Sequence, residues 1–113
     1  MLVAERDGAV VGWASLGPWS PKGAYRRSAE VSVYVDPAAR GAGLGAALLE
    51  ALIERARGSE VAVLIARIAE GNPVSVHLHE RAGFERVGIL RRSGEKFGRV
   101  LDVEVLDLHL DEG

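Results

Sequence analysis

The sequence contains no cysteine, which excludes disulfides, thiolate metal sites and thiol nucleophiles and fits a reducing compartment. Aromatic residues are scarce: two tryptophans, two tyrosines and two phenylalanines in 113 residues. The interior must therefore be built from Val, Leu, Ile and Ala, a composition suited to buried strands and packed helices. Long apolar runs are missing as well. The stretches 44–53 and 61–66 fall short of the roughly 20 residues that a membrane helix needs, and charges flank both. Residues 1–6 carry acidic and basic groups almost at once, without the basic start and apolar stretch of a signal peptide. Histidine is limited to His77, His79 and His109, and the first two would point to different faces of a helix, so no metal is expected. A formal net charge of -2 gives no field of one sign for nucleic acid. These absences describe one globular domain over residues 1–113, cytoplasmic, with neither nucleic acid nor membrane as partner. Local basic clusters at Arg26 and Arg27 and from Arg91 to Arg99 point instead to a small anionic ligand.

Asp7 and Gly8 separate the apolar stretches Leu2 to Ala4 and Val10 to Leu16, the pattern of a hairpin with a tight turn. Gly17, Pro18, Pro21 and Gly23 then form a loop in which Trp19 and Tyr25 offer large faces, for packing or for substrate contact. From Ala29 to Val35, Val31, Val33 and Val35 alternate with Glu30, Ser32 and Tyr34, so one strand face is apolar and Glu30 points away from it. After Asp36 and Pro37 the chain turns glycine-rich. Leu44, Leu48, Leu49, Leu52, Ile53 and Ala56 follow helical spacing up to Gly58. Val61 to Ile68 reads as a buried strand. Asn72 is a good N-cap with Pro73 at the first position of a second helix, expected to turn Val74, Leu78 and Ala82 to the core and to stop at Gly83. Two last strands, Phe84 to Leu90 and Leu101 to Leu110, flank a polar connection, Arg91 to Arg99.

The most informative motif is Arg40-Gly41-Ala42-Gly43-Leu44-Gly45-Ala46, which opens an amphipathic helix after a strand. Glycines let a backbone turn tightly and approach a ligand, and the unpaired N–H groups and positive dipole of a helix start favour a diphosphate. Gly41, Gly43 and Ala46 also satisfy the dinucleotide pattern G-x-G-x-x-A. Context weighs against that reading, because residues 36–40 separate the glycines from the strand and the following strand does not finish on an acidic residue for a ribose.

The chain resembles the GNAT superfamily of N-acetyltransferases. Arg40, Gly43 and Gly45 match its loop pattern Q/R-x-x-G-x-G/A, and residues 72–84, NPVSVHLHERAGF, resemble its segment N-x-x-A/S-x-x-L-Y/H-E-x-x-G-F. Gly17-Pro18-Trp19, the segment Tyr25 to Val35 with Glu30, Leu78-His79-Glu80, and Lys96-Phe97-Gly98 followed by Leu101-Asp102-Val103 are similar to the phosphinothricin acetyltransferase-like subfamily. The resemblance spans nearly the whole chain. It departs from the subfamily at Val100, often tryptophan there, and at Gly23 and Arg27.

This resemblance implies an α/β (α+β) fold: a mixed, mostly antiparallel sheet flanked by helices and splayed open between the strands ending at Val35 and near Ile68. Acetyl-CoA would lie in the gap as co-substrate. Main-chain groups of Val33, Tyr34 and Val35 would meet its pantetheine arm, Arg40, Gly41, Ala42, Gly43, Leu44, Gly45 and Ala46 its diphosphate, and Asn72 and Ser75 the CoA arm. Glu30 corresponds to the glutamate proposed as base in the subfamily, acting through water. His79 stands where many GNAT enzymes place a tyrosine acid. Trp19, Tyr25, Lys96 and Phe97 are the implied acceptor contacts, and the acceptor is the amine of a small molecule such as an amino acid, phosphinothricin, methionine sulfone or methionine sulfoximine. Family members commonly have a strand and one or two helices ahead of the first hairpin, whereas Met1 already lies in what resembles the second strand. Weakened acceptor binding and a homodimer that covers apolar surface are therefore expected. A second function stays open: a CoA-binding domain with little transfer, acting as an interaction or sensing module.

Overall fold

The computed structural model describes residues 1–20, 22–41 and 43–110, with backbone alone for Ala24. The first hairpin joins β1 (Leu2–Arg6) to β2 (Ala9–Pro18). Its turn places Asp7 at φ 54° and Gly8 at φ 81°, the left-handed pair that matches the twist of a two-residue hairpin. β3 (Ser28–Val35) runs antiparallel to β2, with Gly12 opposite Val35 and Gly17 opposite Glu30. A 3-10 turn (Pro37–Ala39) leads to α1 (Leu44–Arg57), which crosses over to β4 (Val63–Ala69). α2 (Pro73–Arg81), β5 (Glu85–Lys96) and β6 (Arg99–His109) complete the chain. The sheet has six strands in the order β1-β2-β3-β4-β6-β5, and only β3 and β4 run parallel.

Period-two alternation divides the sheet into two faces. Ala14, Ala29, Val31, Leu64, Ala66 and Leu106 are buried on one, under Leu48, Leu49, Leu52, Ile53 and Ala56 of α1. Leu49, Leu64 and Leu106 are fully enclosed, and each supplies about 1.5 to 3 kcal/mol of apolar burial. Trp13, Glu30, Tyr34 and Arg67 project from the other face, which no helix among the described residues covers; there the rings of Trp13 and Tyr34 stack with centroids 6.1 Å apart.

Two expectations need correction. Val74 does not face the core but is 78% exposed; the inward stripe of α2 runs through Leu78, His79 and Ala82, with His79 the buried residue. The ring of His79 meets Phe84 edge-on at 5.1 Å, so an aromatic contact holds the place an aliphatic side chain was expected to fill. The segment Arg91 to Arg99 is not a connecting loop either. Its first half continues β5 to Lys96, and the reversal is a two-residue turn at Phe97 (φ 53°) and Gly98 (φ 75°). A bulge between Leu90 and Gly94 interrupts the ladder, with Arg92 at φ 56°. The carboxylate of Asp102 accepts the Arg92 amide at 2.8 Å, and that fixes the bulge.

Candidate acetyl-transfer site

The site begins where β3 and β4 part. Their parallel pairing runs from Ser28 opposite Val63 to Glu30 opposite Ile65 and stops there, while β3 continues to Val35 and β4 to Ala69. Beyond Glu30 each strand therefore presents an unpaired edge to a cleft of about 250 Å³ lined by Glu30, Val31, Ser32, Val33, Ala66, Arg67, Ile68, Ala69, Asn72, Ser75 and His79. Strand alternation decides which main-chain groups are available. The amide of Asp36 donates to Val11 on β2, so the groups of Tyr34 also face β2, whereas the carbonyl of Arg27 accepts from Ala62 and Val63 on the β4 side. Val33 and Val35 share the parity of Arg27 and turn their amides and carbonyls to the cleft side, whereas the amide of Val31 still belongs to the ladder that ends at Glu30 and Ile65. Tyr34 turns its own to Trp13.

The start of α1 lies beside the end of β3, at Val35. Gly43, the N-cap, takes φ 76° and ψ 11°, a left-handed conformation that a side chain other than Asn or Asp adopts only at a cost. The amide of Ala47 closes the first turn on the carbonyl of Gly43 at 3.1 Å, and the amides of Leu44, Gly45 and Ala46 precede any intrahelical partner. No acidic residue stands in that turn. A Cβ on Gly45 would lie 3.3 Å from Leu78 and 3.7 Å from Val35, so this glycine lets the helix start sit against both α2 and the end of β3. Arg40 folds back, its Nε donating to the carbonyl of Val35 at 3.2 Å. Ala42 lies outside the described residues.

At the other side, Asn72 caps α2 by accepting the Ser75 amide at 3.2 Å, which spends its Oδ1 and leaves its amide group free of that bond. His79 is 4% exposed, and its Nδ1 lies 2.8 Å from the Ser75 carbonyl. A carbonyl can only accept, so Nδ1 carries the hydrogen and the neutral ring keeps its lone pair on Nε2. Burial lowers the pKa of His79 from its ordinary value, and the bond to Ser75 opposes that only in part.

Glu30 has a partner that sequence reasoning did not anticipate. Arg67 donates from Nε to Oε2 at 2.6 Å and from Nη2 to Oε1 at 2.8 Å, a side-by-side bidentate pair. The register explains it: Glu30 is opposite Ile65, and Arg67 is the next residue of β4 on the same face. The hydrogen bonds to Glu30 raise the guanidinium pKa above its usual value, burial works against this, and the charge of Glu30 adds to it. The guanidinium carbon lies 5.4 Å from the centre of the Trp19 ring. Trp19 thus meets the cleft through Arg67. Tyr25 lies in a separate hollow of about 400 Å³ between β2 and the start of β3, with Lys22 and Arg26. Lys96 and Phe97 occupy the tip of the β5–β6 hairpin and do not line the cleft. Among the described residues no group of three or more His, Asp or Glu could hold a metal, and no helix is long and apolar enough to cross a membrane.

A parallel strand pair that splits beside a glycine-rich helix start is the arrangement that the resemblance to the GNAT superfamily implies. The Acetyltransferase (GNAT) family matches residues 1–84, and the chain belongs to that family. Among its relatives, the L-methionine sulfoximine/L-methionine sulfone acetyltransferase of Pseudomonas aeruginosa is 46% identical over 111 residues, covering 98% of this chain and 64% of the relative. The phosphinothricin N-acetyltransferase of Alcaligenes faecalis is 42% identical over 113 residues, covering 99% and 57%. In three dimensions the chain is similar to the crystal structure of a GNAT phosphinothricin acetyltransferase from Sinorhizobium meliloti in complex with AcCoA, with a TM-score of 0.91, 39% identity, and coverage of 98% of this chain and 60% of that one. A ribosomal-protein-alanine N-acetyltransferase from Brucella melitensis superposes with a TM-score of 0.91 at 51% identity, covering 95% and 66%. The chain thus spans less than two thirds of the length of each of these proteins.

Proposed function

We propose that the chain transfers the acetyl group of acetyl-CoA to the primary amine of a small molecule, an amino acid or an analogue such as phosphinothricin, methionine sulfone or methionine sulfoximine. The observation that carries this reading is the cleft, with unpaired strand edges and Glu30 and His79 on its walls, next to a helix start suited to a diphosphate. The relatives named for these acceptors support it. Val33 and Val35 would bond the pantetheine arm through their main chain, and the amides of Leu44, Gly45 and Ala46, with Gly41, Gly43 and Arg40 beside them, would receive the diphosphate. Asn72 and Ser75 would border the CoA arm.

Acetyl-CoA supplies an activated acyl carbon: the amine nitrogen bonds to it, the C–S bond breaks, and the sulfur leaves as a thiolate. Glu30 attracts the acceptor's ammonium group and, through water, draws off its proton. Nε2 of neutral His79 can take up the proton released by the amine and deliver it to the thiolate, so His79 serves as the acid only after it has served as acceptor. Trp19 would border the acceptor side through Arg67, and Tyr25 would do so only from its separate hollow. A homodimer is part of the proposal: β5 is an edge strand whose Val87, Ile89 and Leu90 are exposed, as is Phe97 at the hairpin tip. Lys96 and Phe97 would contact an acceptor only within such an assembly. The cysteine-free composition supports a cytoplasmic setting.

Release of free CoA from acetyl-CoA, followed across the named acceptors and the common amino acids, tests the reading. Acceptor-dependent thiol release is expected. Glu30→Ala and His79→Ala should each lower turnover by roughly 10²-fold or more, with acetyl-CoA affinity near normal. Unchanged turnover in both variants contradicts the assigned roles, and acetyl-CoA binding without thiol release for any acceptor favours the CoA-binding module.

A further inference from the structure

The bidentate pair at the cleft has a capacity that the two carboxylate oxygens do not exhaust. With Nε and one Nη2 hydrogen directed to Glu30, Arg67 keeps its Nη1 group and the other Nη2 hydrogen. Its side chain is 49% exposed, so those donors are within reach of a ligand. The ring of Trp19 restrains the guanidinium from one side. The residue interrupts an otherwise apolar strand, VLIARIA, at a position facing away from the core, where a charge contributes nothing to packing.

Resting on the transfer reading above, we infer that Arg67 is a specificity-determining residue that holds the carboxylate of an α-amino-acid acceptor while Glu30 holds its ammonium group. An α-amino-acid zwitterion carries both charged groups on one carbon, and the Glu30–Arg67 pair presents the complementary charges side by side at 2.6 and 2.8 Å. The four groups alternate in sign, and the site's net charge does not change on binding. A plain amine fares differently. It brings an uncompensated positive charge next to Arg67, so the same guanidinium that favours amino acids disfavours simple amines.

The test compares acids with their decarboxylated counterparts: methionine sulfone with 3-(methylsulfonyl)propylamine, and leucine with isopentylamine. In the wild-type chain kcat/KM should favour the acid of a pair by about 10- to 100-fold, the range of lost charge-assisted hydrogen bonds. Arg67→Gln should bring that ratio close to one by raising KM for the acid more than for the amine, and Arg67→Lys should recover part of the preference. A ratio unchanged in Arg67→Gln, or no wild-type preference in either pair, overturns the assignment while leaving acetyl transfer standing. If no thiol is released with any of the four or with any acceptor named above, the transfer reading fails. Calorimetry in the presence of CoA then decides on Arg67 alone: a loss of acid binding in Arg67→Gln about tenfold or more greater than any loss of amine binding supports the carboxylate anchor, and equal binding of acids by the two proteins refutes it.

Discussion

Replacing His79 by alanine tests the most heavily constrained side chain of the cleft. Its edge-on contact with Phe84 at 5.1 Å contributes about 1 kcal/mol, and the Nδ1–H bond to Ser75 about as much. The hollow left by a ring that is 4% exposed adds about 1 kcal/mol more, so His79→Ala should cost about 2 to 4 kcal/mol. The pH dependence of that cost is the sharper part. Burial lowers the pKa of His79 in the folded chain, whereas in the unfolded chain it returns to about 6.5. Between the two values the unfolded chain binds the extra proton. The stability contributed by the neutral ring is therefore complete above pH 6.5 or so and is lost as pH falls through the folded value. Urea denaturation of both proteins at about pH 7.5 and about pH 5.5 measures it, with titrations common to the two cancelling in the difference. The stability gap should narrow at the lower pH. A gap that stays constant, or widens on acidification, would refute the neutral, Ser75-bonded state and with it the free lone pair on Nε2.

Phe97→Asn should stabilise the protein by about 0.5 to 1 kcal/mol, because Phe97 holds φ 53° while 92% exposed and asparagine tolerates that conformation better. Thermal unfolding reads it as a rise of roughly 2 to 5 °C, and a fall in Tm contradicts the strain argument. Gly43→Val should raise the acetyl-CoA dissociation constant by about tenfold or more. A Cβ at Gly43 meets nothing within 4 Å, so the loss would come from the left-handed backbone at φ 76° and from space the ligand needs. Calorimetry with wild-type affinity counts against the loop's assignment. Asn72→Ala should lose about 1 kcal/mol by leaving the Ser75 amide without its cap, and an unchanged urea midpoint argues against that cap.

Much of this architecture was legible in the sequence because its signals are local. Asp7-Gly8 marked the first turn, the valines of β3 its inward face, Gly43 and Gly58 the limits of α1, and Asn72-Pro73 the start of α2. Errors arose where an apolar letter and burial part company. Val74 reads as core by its side chain but lies on the outer flank of the first turn of α2, while His79 reads as polar and is enclosed. The arm from Arg91 to Lys96 shows no alternation because the β5–β6 hairpin projects past the end of β4 and is wetted on both sides, and its turn uses Phe97 where asparagine or aspartate is usual. The partnership of Glu30 with Arg67 depends on strand register across 37 positions, which no local pattern encodes. The one available hint was a charge inside an apolar strand, at Arg67.

Coenzyme A is predicted to enter the gap between β3 and β4 with its diphosphate at the start of α1. Titration of the isotope-labelled chain with CoA, followed through its backbone amide resonances, tests this most directly. The largest changes are predicted at Val33, Val35, Gly43, Leu44, Gly45 and Ala46, with little response at the hairpin tip around Phe97. Saturable binding that leaves Gly43 to Ala46 unmoved, or that centres on the hollow around Tyr25, would contradict it.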